Sequence, residues 1–278
     1  MKTVVAVHDL SCHAKSSLTV VIPTLAALGV EASVLPTALL STQTDGFDSY
    51  VYVDLTETME RVLDHWESLA LRFDSIYSGF LGSQRQIDTV SRLIDGQHRL
   101  ANHPLVLVDP VLGDQGKPYG PVSGELIGRM EHLVAKADVI TPNLTEAALL
   151  LHRPFEPGLK TEEAIGWARD LSALGPRCVA ITSVMDGAQG ITVAYDAKTD
   201  KAIASRQSYV PVSYPGCGDL FAAILCALMV RGQDFLIAAD RCATVVSKAV
   251  HLSWERKTEQ RKGVAVELIM GDLAGMLL

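Results

Sequence analysis

The stretch YPGCGDLFAAILCALMV, which runs from Tyr214 to Val230, places two glycines and an aspartate directly before a long apolar segment. Every residue from Leu220 to Val230 is apolar, which predicts a buried helix over 219–231. Gly216 and Gly218 can adopt positive φ and let a ligand approach the backbone closely. The unpaired N–H groups and the dipole at a helix start favour an anion. The stretch therefore predicts an anion-binding loop at the beginning of a core helix.

Asp219 is the unexpected residue of this loop, because a carboxylate repels a bound anion. One interpretation is a general base, which takes a proton from a nucleophile that attacks a phosphoryl group held by the loop. The other interpretation is an aspartate that caps its own helix. The four residues Gly216 to Asp219 leave both interpretations open.

Short β-rich segments alternate with helical patterns through the rest of the chain. Strands are predicted at 3–7, 32–36, 75–79, 105–110, 138–142 and 178–182, and a hairpin at 190–196 and 201–211. Helices are predicted at 16–29, 57–73, 83–100, 123–136, 144–151, 161–174, 219–231, 235–254 and 264–276. This alternation predicts an α/β fold in three layers, in which helices cover both faces of a mostly parallel central sheet. No linker or repeat interrupts it, so we expect one domain over 1–278.

Polar or turn-forming residues follow five of the predicted strands: His8 and Asp9, residues 41–46, residues 109–114, residues 141–143 with Glu146, and Thr182 with Ser183. In an open α/β sheet, ligands bind outside the carboxyl ends of the parallel strands, so we expect these residues to meet at one cleft. Turn formation and helix capping explain any one strand end. They do not require four carboxylates (Asp9, Asp109, Asp114 and Glu146) on the same edge.

Composition limits the class of partner. The chain has 278 residues, a net charge of −8 and no basic stripe, which argues against general nucleic-acid binding. Its five cysteines form no CxxC pair, so neither a zinc ribbon nor a disulfide framework is expected. The longest apolar run is far short of the ~20 residues of a membrane helix, and MKTVVAVHDLS does not resemble a signal peptide. We expect a cytoplasmic protein that binds neither nucleic acid nor membrane.

Several segments resemble motifs of one superfamily. PGCGDLFAAIL (215–225) is similar to the G-[TV]-G-D anion-hole motif of the ribokinase superfamily. DPVLGDQGKPY (109–119) and ITPNLTEAALLL (140–151) resemble the D-P-V-[ML]-G-D-x-G-x-x-Y and T-P-N-x-x-E-A motifs of its vitamin-kinase branch. VHDLS (7–11) and LPTALLSTQT (35–44) resemble the start and the T-x-x-x-S-x-x-T element of pyridoxal kinases. The matches run in order from residue 4 to about residue 250, so the chain resembles the pyridoxal kinase family over nearly its whole length.

This resemblance implies a ribokinase-like fold and transfer of the ATP γ-phosphoryl group to the 5′-hydroxyl of pyridoxal, pyridoxine or pyridoxamine. It also implies Mg²⁺, often a monovalent cation such as K⁺, and commonly a homodimer. By position it implies Asp219 as the catalytic base; Gly216, Cys217 and Gly218 as the anion hole; Asp9, Ser11, Thr44 and Asp219 as vitamer contacts; Asp109, Thr141, Asn143, Glu146, Thr182 and Ser183 as ATP-binding residues; and Asp109, Asp114 and Glu146 as metal ligands.

The chain departs from the family pattern at two places. Cys217 replaces the usual Thr or Val between the glycines, but the backbone donors remain. Cys12 and His13 stand where relatives carry small or aromatic residues, which bears on ring specificity.

There is no Walker A match, so a P-loop enzyme is excluded. Two alternatives stay open, a hydroxymethylpyrimidine kinase with the same fold and a vitamin-binding protein without turnover.

Overall fold

The computed structural model describes residues 1–120, 122–187 and 189–277. The strands are β1 (Lys2–Ser11), β2 (Val30–Leu40), β3 (Tyr52–Asp54), β4 (Ser75–Ser78), β5 (Leu105–Val108), β6 (Gly113–Asp114), β7 (Lys117–Pro118), β8 (Val139–Ile140), β9 (Cys178–Asp186), β10 (Gln189–Asp196) and β11 (Lys201–Ser208). The helices are α1 (Leu18–Ala27), α2 (Thr56–Ser68), α3 (Gln84–Arg99), α4 (Gly124–Val134), α5 (Leu144–Leu150), α6 (Thr161–Ser172), α7 (Cys217–Val230), α8 (Phe235–Glu255) and α9 (Met270–Gly275).

One nine-stranded sheet organises the chain, in the order β11-β10-β9-β8-β5-β4-β1-β2-β3. The six strands from β9 to β2 pair in parallel, while β3, β10 and β11 add antiparallel edges. The chain moves from β1 to β2 on one side and then to β4 on the other. The carboxyl ends of β1 and β4 therefore border a topological switch point, where open sheets of this kind bind ligands.

Helices cover both faces of the sheet, which confirms the predicted three-layer α/β architecture. Side chains of α2 to α6 pack with one face of the strands in one core. Side chains of α1, α7, α8 and α9 pack with the opposite face in a second core. All residues of α7 from Leu220 to Leu228 are buried, because this helix lies between the sheet and two neighbouring helices. That position explains its unbroken apolar sequence.

Several predicted boundaries need correction. β1 continues to Ser11 by pairing with the extended β2, so His8, Asp9 and Ser11 lie within the strand rather than after it. The short strands β3, β6 and β7 are missing from the prediction, because such short pairings leave no periodicity to recognise. The predicted helix 264–276 is a 3₁₀ turn at Val266–Ile269 followed by α9. Across the described ranges, no helix combines the length and apolar character needed to cross a membrane.

Candidate active site

The start of α7 is an open backbone turn. Gly216 is the N-cap, with a left-handed φ of 85°, and the first helical hydrogen bond runs from the Leu220 N–H to the Gly216 carbonyl at 2.9 Å. The N–H groups of Cys217, Gly218 and Asp219 therefore have no acceptor within the helix. A Cβ at Gly218 would lie 3.9 Å from Oδ2 of Asp109, which places that carboxylate beside the turn. The helix begins at Cys217, two residues earlier than predicted, and the turn keeps the donors expected of an anion site.

Asp219 holds a carboxylate just behind this turn. Its Oδ2 accepts the Ser17 N–H at 2.8 Å, and its Oδ1 lies 3.8 Å from Nδ1 of His8. Burial raises the pKa of Asp219 to about 6, although the hydrogen bond from Ser17 opposes the rise. The Asp219 carboxylate thus accepts the N–H of Ser17, which precedes α1, and does not cap an N–H group of α7. A carboxylate with a pKa near neutrality suits the accepting role in proton transfer.

His8 lies beneath Asp219 in the interior. Its ring packs edge-to-face on Tyr77 with centroids 4.3 Å apart, and a Cβ at Gly79 would overlap it. Neither ring nitrogen has a hydrogen-bond partner among the described residues. Desolvation lowers the pKa of His8 to about 3, so the imidazole is neutral. It therefore adds no positive charge to stabilise the Asp219 carboxylate.

The vitamer side of the predicted site is built around Asp9. Its Oδ1 accepts the Ser17 hydroxyl at 2.6 Å and its Oδ2 accepts the Ser11 hydroxyl at 3.2 Å. Burial raises the pKa of Asp9, and both hydroxyls oppose the rise. The structure therefore brings two of the predicted vitamer contacts together. Thr44 lies exposed in the loop after β2 and makes no hydrogen bond to them in the described structure.

Asp109 follows β5 and faces the α7 turn from the other side. Its Oδ1 accepts the Thr141 hydroxyl at 3.0 Å. Burial, and secondarily the charge of Asp219, raise the pKa of Asp109 to about 8. The carboxyl is therefore largely protonated at neutral pH until a positive charge approaches it.

Glu146 belongs to a capping box at the start of α5. It exchanges hydrogen bonds with Asn143, whose Oδ1 accepts the Glu146 N–H at 2.9 Å and whose own N–H donates to Oε2 at 2.8 Å. Its Oε1 accepts the Leu112 N–H at 3.1 Å. Burial, and secondarily the charge of Asp109, raise the pKa of Glu146 well above its usual range. Glu146 is both a structural cap and a second buried acid beside Asp109.

The fit of these acids to Mg²⁺ follows from their chemistry. Within residues 1–120, 122–187 and 189–277, no three His, Cys, Asp or Glu side chains converge closely enough to hold a metal ion alone. Mg²⁺ in phosphoryl-transfer sites usually takes one or two carboxylates and completes its shell with phosphate oxygens and water. Asp109 and Glu146 are buried oxygen donors, and no Lys, Arg or His in the described part of the chain pairs with either, so they match this requirement. Asp114 is exposed at the end of β6, where its Oδ1 accepts the Gln115 N–H at 2.8 Å.

Thr182 and Ser183 occupy the far side of the cleft. β9 extends past its predicted end, so both residues lie within the strand. The Thr182 N–H donates to the Pro142 carbonyl at 2.9 Å, which joins β9 to the segment before α5. Ser183 is exposed and has a φ of 60°. Their role on the nucleotide side remains a prediction.

Residues 260–264 connect three loops of the site. These links are the Lys15 N–H to the Lys262 carbonyl at 3.0 Å, Nε2 of Gln43 to the Arg261 carbonyl at 2.9 Å, and the Val264 N–H to the Pro215 carbonyl at 2.9 Å. The sequence offered no signal for this segment, because its contacts use backbone carbonyls and N–H groups. Ser17 was also missed, since a serine before a helix is typical of an ordinary N-cap.

Comparisons with known proteins identify the family of the chain. The family model described as phosphomethylpyrimidine kinase matches residues 21–264. A pyridoxine/pyridoxal/pyridoxamine kinase of Bordetella avium is 28% identical over 277 residues, which cover 94% of this chain and 92% of that protein.

Two solved structures are similar over almost the entire chain. A Bacteroides thetaiotaomicron protein, assigned provisionally as a phosphomethylpyrimidine kinase and crystallised with pyridoxal, is 36% identical with a TM-score of 0.92, covering 98% of this chain and 95% of that one. The pyridoxal kinase of Lactobacillus plantarum is 29% identical with a TM-score of 0.91, covering 99% and 98%. The expected resemblance is confirmed, and the chain belongs to the phosphomethylpyrimidine kinase family of ribokinase-like proteins, among relatives that include pyridoxal kinases.

Proposed function

We propose that this kinase transfers the γ-phosphoryl group of ATP to the 5′-hydroxyl of a vitamin B6 vitamer, a salvage route to pyridoxal 5′-phosphate. The observation that carries the proposal is the Asp219 carboxylate, with its pKa of about 6, at the mouth of the open turn of α7. A general base for a primary alcohol must be ionised at working pH and stand beside the phosphoryl acceptor site. Asp219 meets both requirements.

The chemical step uses Asp219 and the backbone of the turn. The vitamer hydroxyl gives its proton to the Asp219 carboxylate while its oxygen bonds to the γ-phosphorus, and the bond from that phosphorus to the β-bridging oxygen breaks to release ADP. The N–H groups of Gly216, Cys217 and Gly218 face the charge that develops on the transferred group. Backbone donors of this kind are already oriented, so they stabilise that charge without reorganisation.

The nucleotide side is assigned to the acids and polar residues beyond the turn. Asp109 and Glu146, with Asp114 at the rim, would hold Mg²⁺, and Thr141, Asn143, Thr182 and Ser183 would contact ATP. The ion supplies positive charge that neutralises the phosphate oxygens during transfer. Asp109 and Glu146 would hold the ion in their ionised forms, because its positive charge would offset the burial that raises their pKa values. The proposed cofactors also include a monovalent cation such as K⁺.

The vitamer side is assigned to Asp9, Ser11 and Thr44. Asp9 is buried with a hydroxyl on each carboxylate oxygen, so it keeps lone pairs for a donor on the pyridine ring. Thr44 lies on the loop between β2 and β3, and the proposal is that it contacts the ring of the bound vitamer. The Bacteroides thetaiotaomicron relative was crystallised with pyridoxal, which supports a pyridine compound as the ligand of this chain.

The proposal extends to assembly and location. Tyr52 and Val53 are exposed apolar residues of the sheet-edge strand β3, which supports a homodimer, because an uncovered edge of this kind favours pairing. The acidic composition supports small-molecule partners, without nucleic acid or membrane. The proposed unit is one kinase domain over 1–278 that acts in the cytoplasm, where its scattered cysteines stay reduced.

A hydroxymethylpyrimidine kinase is the second candidate, and the description of the matching family model favours it. Both candidates use the same base and turn, so only the acceptor distinguishes them. The experiment supplies the purified protein with ATP, Mg²⁺ and, separately, pyridoxal, pyridoxine, pyridoxamine and hydroxymethylpyrimidine. ADP release and the mass of the product are measured, with Asp219→Asn as the inactive control.

We expect phosphorylation of at least one B6 vitamer with a kcat/KM at least tenfold above that of hydroxymethylpyrimidine. The reverse preference would replace the first candidate by the second. Vitamer binding without ADP release would instead indicate a vitamin-binding protein without turnover.

A further inference from the structure

Ser17 has the position of a helix cap but not its contacts. It is the N-cap of α1, yet its φ of 50° and ψ of −128° are unusual for a residue with a side chain, and its hydroxyl makes no capping bond. Ser83 and Ser123 show the ordinary arrangement, since each is extended and accepts a backbone N–H from its own helix. Ser17 therefore uses its donors elsewhere.

Both donors of Ser17 point to carboxylates of the site. Its N–H donates to Oδ2 of Asp219 at 2.8 Å, and its hydroxyl donates to Oδ1 of Asp9 at 2.6 Å. Asp9 belongs to β1 and Asp219 to α7, so one residue connects the proposed vitamer contact to the proposed base. A hydrogen bond to an ionised acceptor is stronger than a neutral one. The bond to Asp9 is buried, and the bond to Asp219 is partly buried.

The surrounding structure holds Ser17 in this conformation. Its carbonyl accepts the N–H groups of Val20 and Val21, both at 2.9 Å, at the first turn of α1. Two residues earlier, the Lys15 N–H donates to the Lys262 carbonyl at 3.0 Å. A strained backbone persists only where neighbouring contacts determine it, and such residues concentrate at functional sites.

The contacts also distinguish the two oxygens of Asp219. Oδ2 is occupied by the Ser17 N–H, whereas Oδ1 lies 3.8 Å from the neutral His8 ring, beyond hydrogen-bond distance. Oδ1 is therefore the oxygen left to receive the substrate proton. Fixing one oxygen also sets the direction in which the other points.

We propose that Ser17 is a positioning residue that fixes the proton-accepting carboxylate of Asp219 relative to the ring-binding carboxylate of Asp9, and so sets the distance between the bound ring and the base. This inference rests on the proposed B6 kinase function. The Ser17 hydroxyl supports vitamer binding through its hydrogen bond to Asp9. The Ser17 N–H, which every non-proline residue retains, keeps Oδ1 of Asp219 directed at the 5′-hydroxyl.

The test compares Ser17→Ala and Ser17→Gly with Ser17→Thr. The first two remove the hydroxyl and keep the N–H, and we expect the vitamer KM and the Kd for pyridoxal to rise about tenfold or more. The KM for ATP should stay unchanged and kcat should fall less than about threefold, since the base keeps its donor. Ser17→Thr restores the hydroxyl, so vitamer affinity should recover even though a β-branched residue at this φ lowers Tm.

Asp234→Ala serves as the matched control. Asp234 caps α8 by accepting the N–H groups of Leu236 and Ile237, and α8 starts where α7 ends, away from the turn at the start of α7. The control should lower Tm and leave both KM values as in the wild type. It separates a loss of helix capping from a loss of vitamer positioning.

Three outcomes would overturn the inference. The first is that Ser17→Ala and Ser17→Gly keep the vitamer KM and the pyridoxal Kd of the wild type. The second is that these variants raise the KM for the vitamer and the KM for ATP equally. The third is a wild-type protein that binds no vitamer, which would also end the proposed function. A wild-type protein that binds pyridoxal without turnover would refute only the function, and the pyridoxal Kd series would still decide the role of Ser17.

Discussion

Two carboxylates, those of Asp219 and Asp109, lie at the start of α7, and their surroundings differ. Asp219 receives a backbone N–H from Ser17, and its pKa is raised to about 6. Asp109 accepts the Thr141 hydroxyl, and burial, followed by the charge of Asp219, raises its pKa to about 8. At neutral pH the first is mostly ionised and the second mostly protonated.

This difference separates two tasks within one cleft. An ionised carboxylate can take a proton from an alcohol at once, whereas a protonated one gains charge only when a cation arrives. Under the proposed function, Asp219 would be ionised before substrates bind, and Asp109 would become ionised when the metal and nucleotide arrive. Burial, neighbouring charge and hydrogen bonds thus combine to give two acids of one site different pKa values.

Removing divalent cations tests the Asp109 side and should have the largest effect. Carboxylates alone cannot balance the phosphate charge, so ATP turnover should vanish in excess chelator and return with Mg²⁺. Binding of pyridoxal to the Asp9 side should persist, as followed by absorbance. Full turnover in chelator would remove the proposed role of Asp109 and Glu146.

Asp219→Asn tests the opposite side. Asn keeps the shape and can still accept the Ser17 N–H, but it cannot take the proton, so kcat should fall about 10²-fold or more. The KM values for vitamer and ATP should change little, because the lost interaction belongs to the transition state. Normal steady-state turnover with a lower Tm would reduce Asp219 to a structural residue.

The pH profile provides the next sharpest comparison. Asp219 takes up a proton as pH falls through about 6, so kcat/KM should decrease by about tenfold between pH 7 and pH 5. The Asp219→Asn variant has no such group, and its residual rate should lose this acid limb. An acid limb that is identical in both proteins would assign the titration to another residue.

Asp109→Asn should separate stability from activity. The amide removes a buried carboxyl near Asp219 and can still accept the Thr141 hydroxyl, so the free energy of unfolding without ligands should rise by about 1 kcal/mol at pH 8. Turnover should nevertheless fall at least about tenfold. Chemical denaturation measures the free energy of unfolding. The same substitution at Asp219 should raise it less, because the Asp219 carboxylate already accepts an N–H donor. A loss of stability would mean that Asp109 is paired better than its contacts indicate.

Cys217→Thr should have the smallest effect. The proposed anion hole acts through backbone N–H groups, which the substitution preserves, so kcat should stay within about tenfold of the wild type. Loss of a true donor would reduce kcat by about 10²–10³-fold. A reduction of that size in steady-state assays would mean that the thiol itself takes part.

The layered fold was predictable because its signals are local and repeated. Alternating strand and helix patterns, and the unbroken apolar run of α7, determine which elements form and which are buried. The acids at the carboxyl ends of the strands followed from the topology rule for parallel sheets. Asp109, Thr141, Glu146 and Asp219 do meet in pairs across the cleft.

The missed features depend on contacts between distant segments. Nothing in KSSLTVV shows that Ser17 turns from its own helix toward Asp9 and Asp219, which lie 8 and 202 residues away. The neutral state of His8 likewise depends on burial against Tyr77 and Gly79 from another strand. The extension of β1 to Ser11 depends on pairing with β2. Periodicity within a segment carries no information on such pairings.

The links made by residues 260–264 have a consequence for the order of folding. The loops near Lys15, Gln43 and Pro215 are all fastened by this segment, which leaves the ribosome after every other part of the cleft. Most of the parallel sheet can assemble while synthesis continues, since domains form as their segments emerge. We therefore expect the nascent chain to stay inactive until residues 260–264 dock, and we expect this long-range closure to limit the rate at which activity appears.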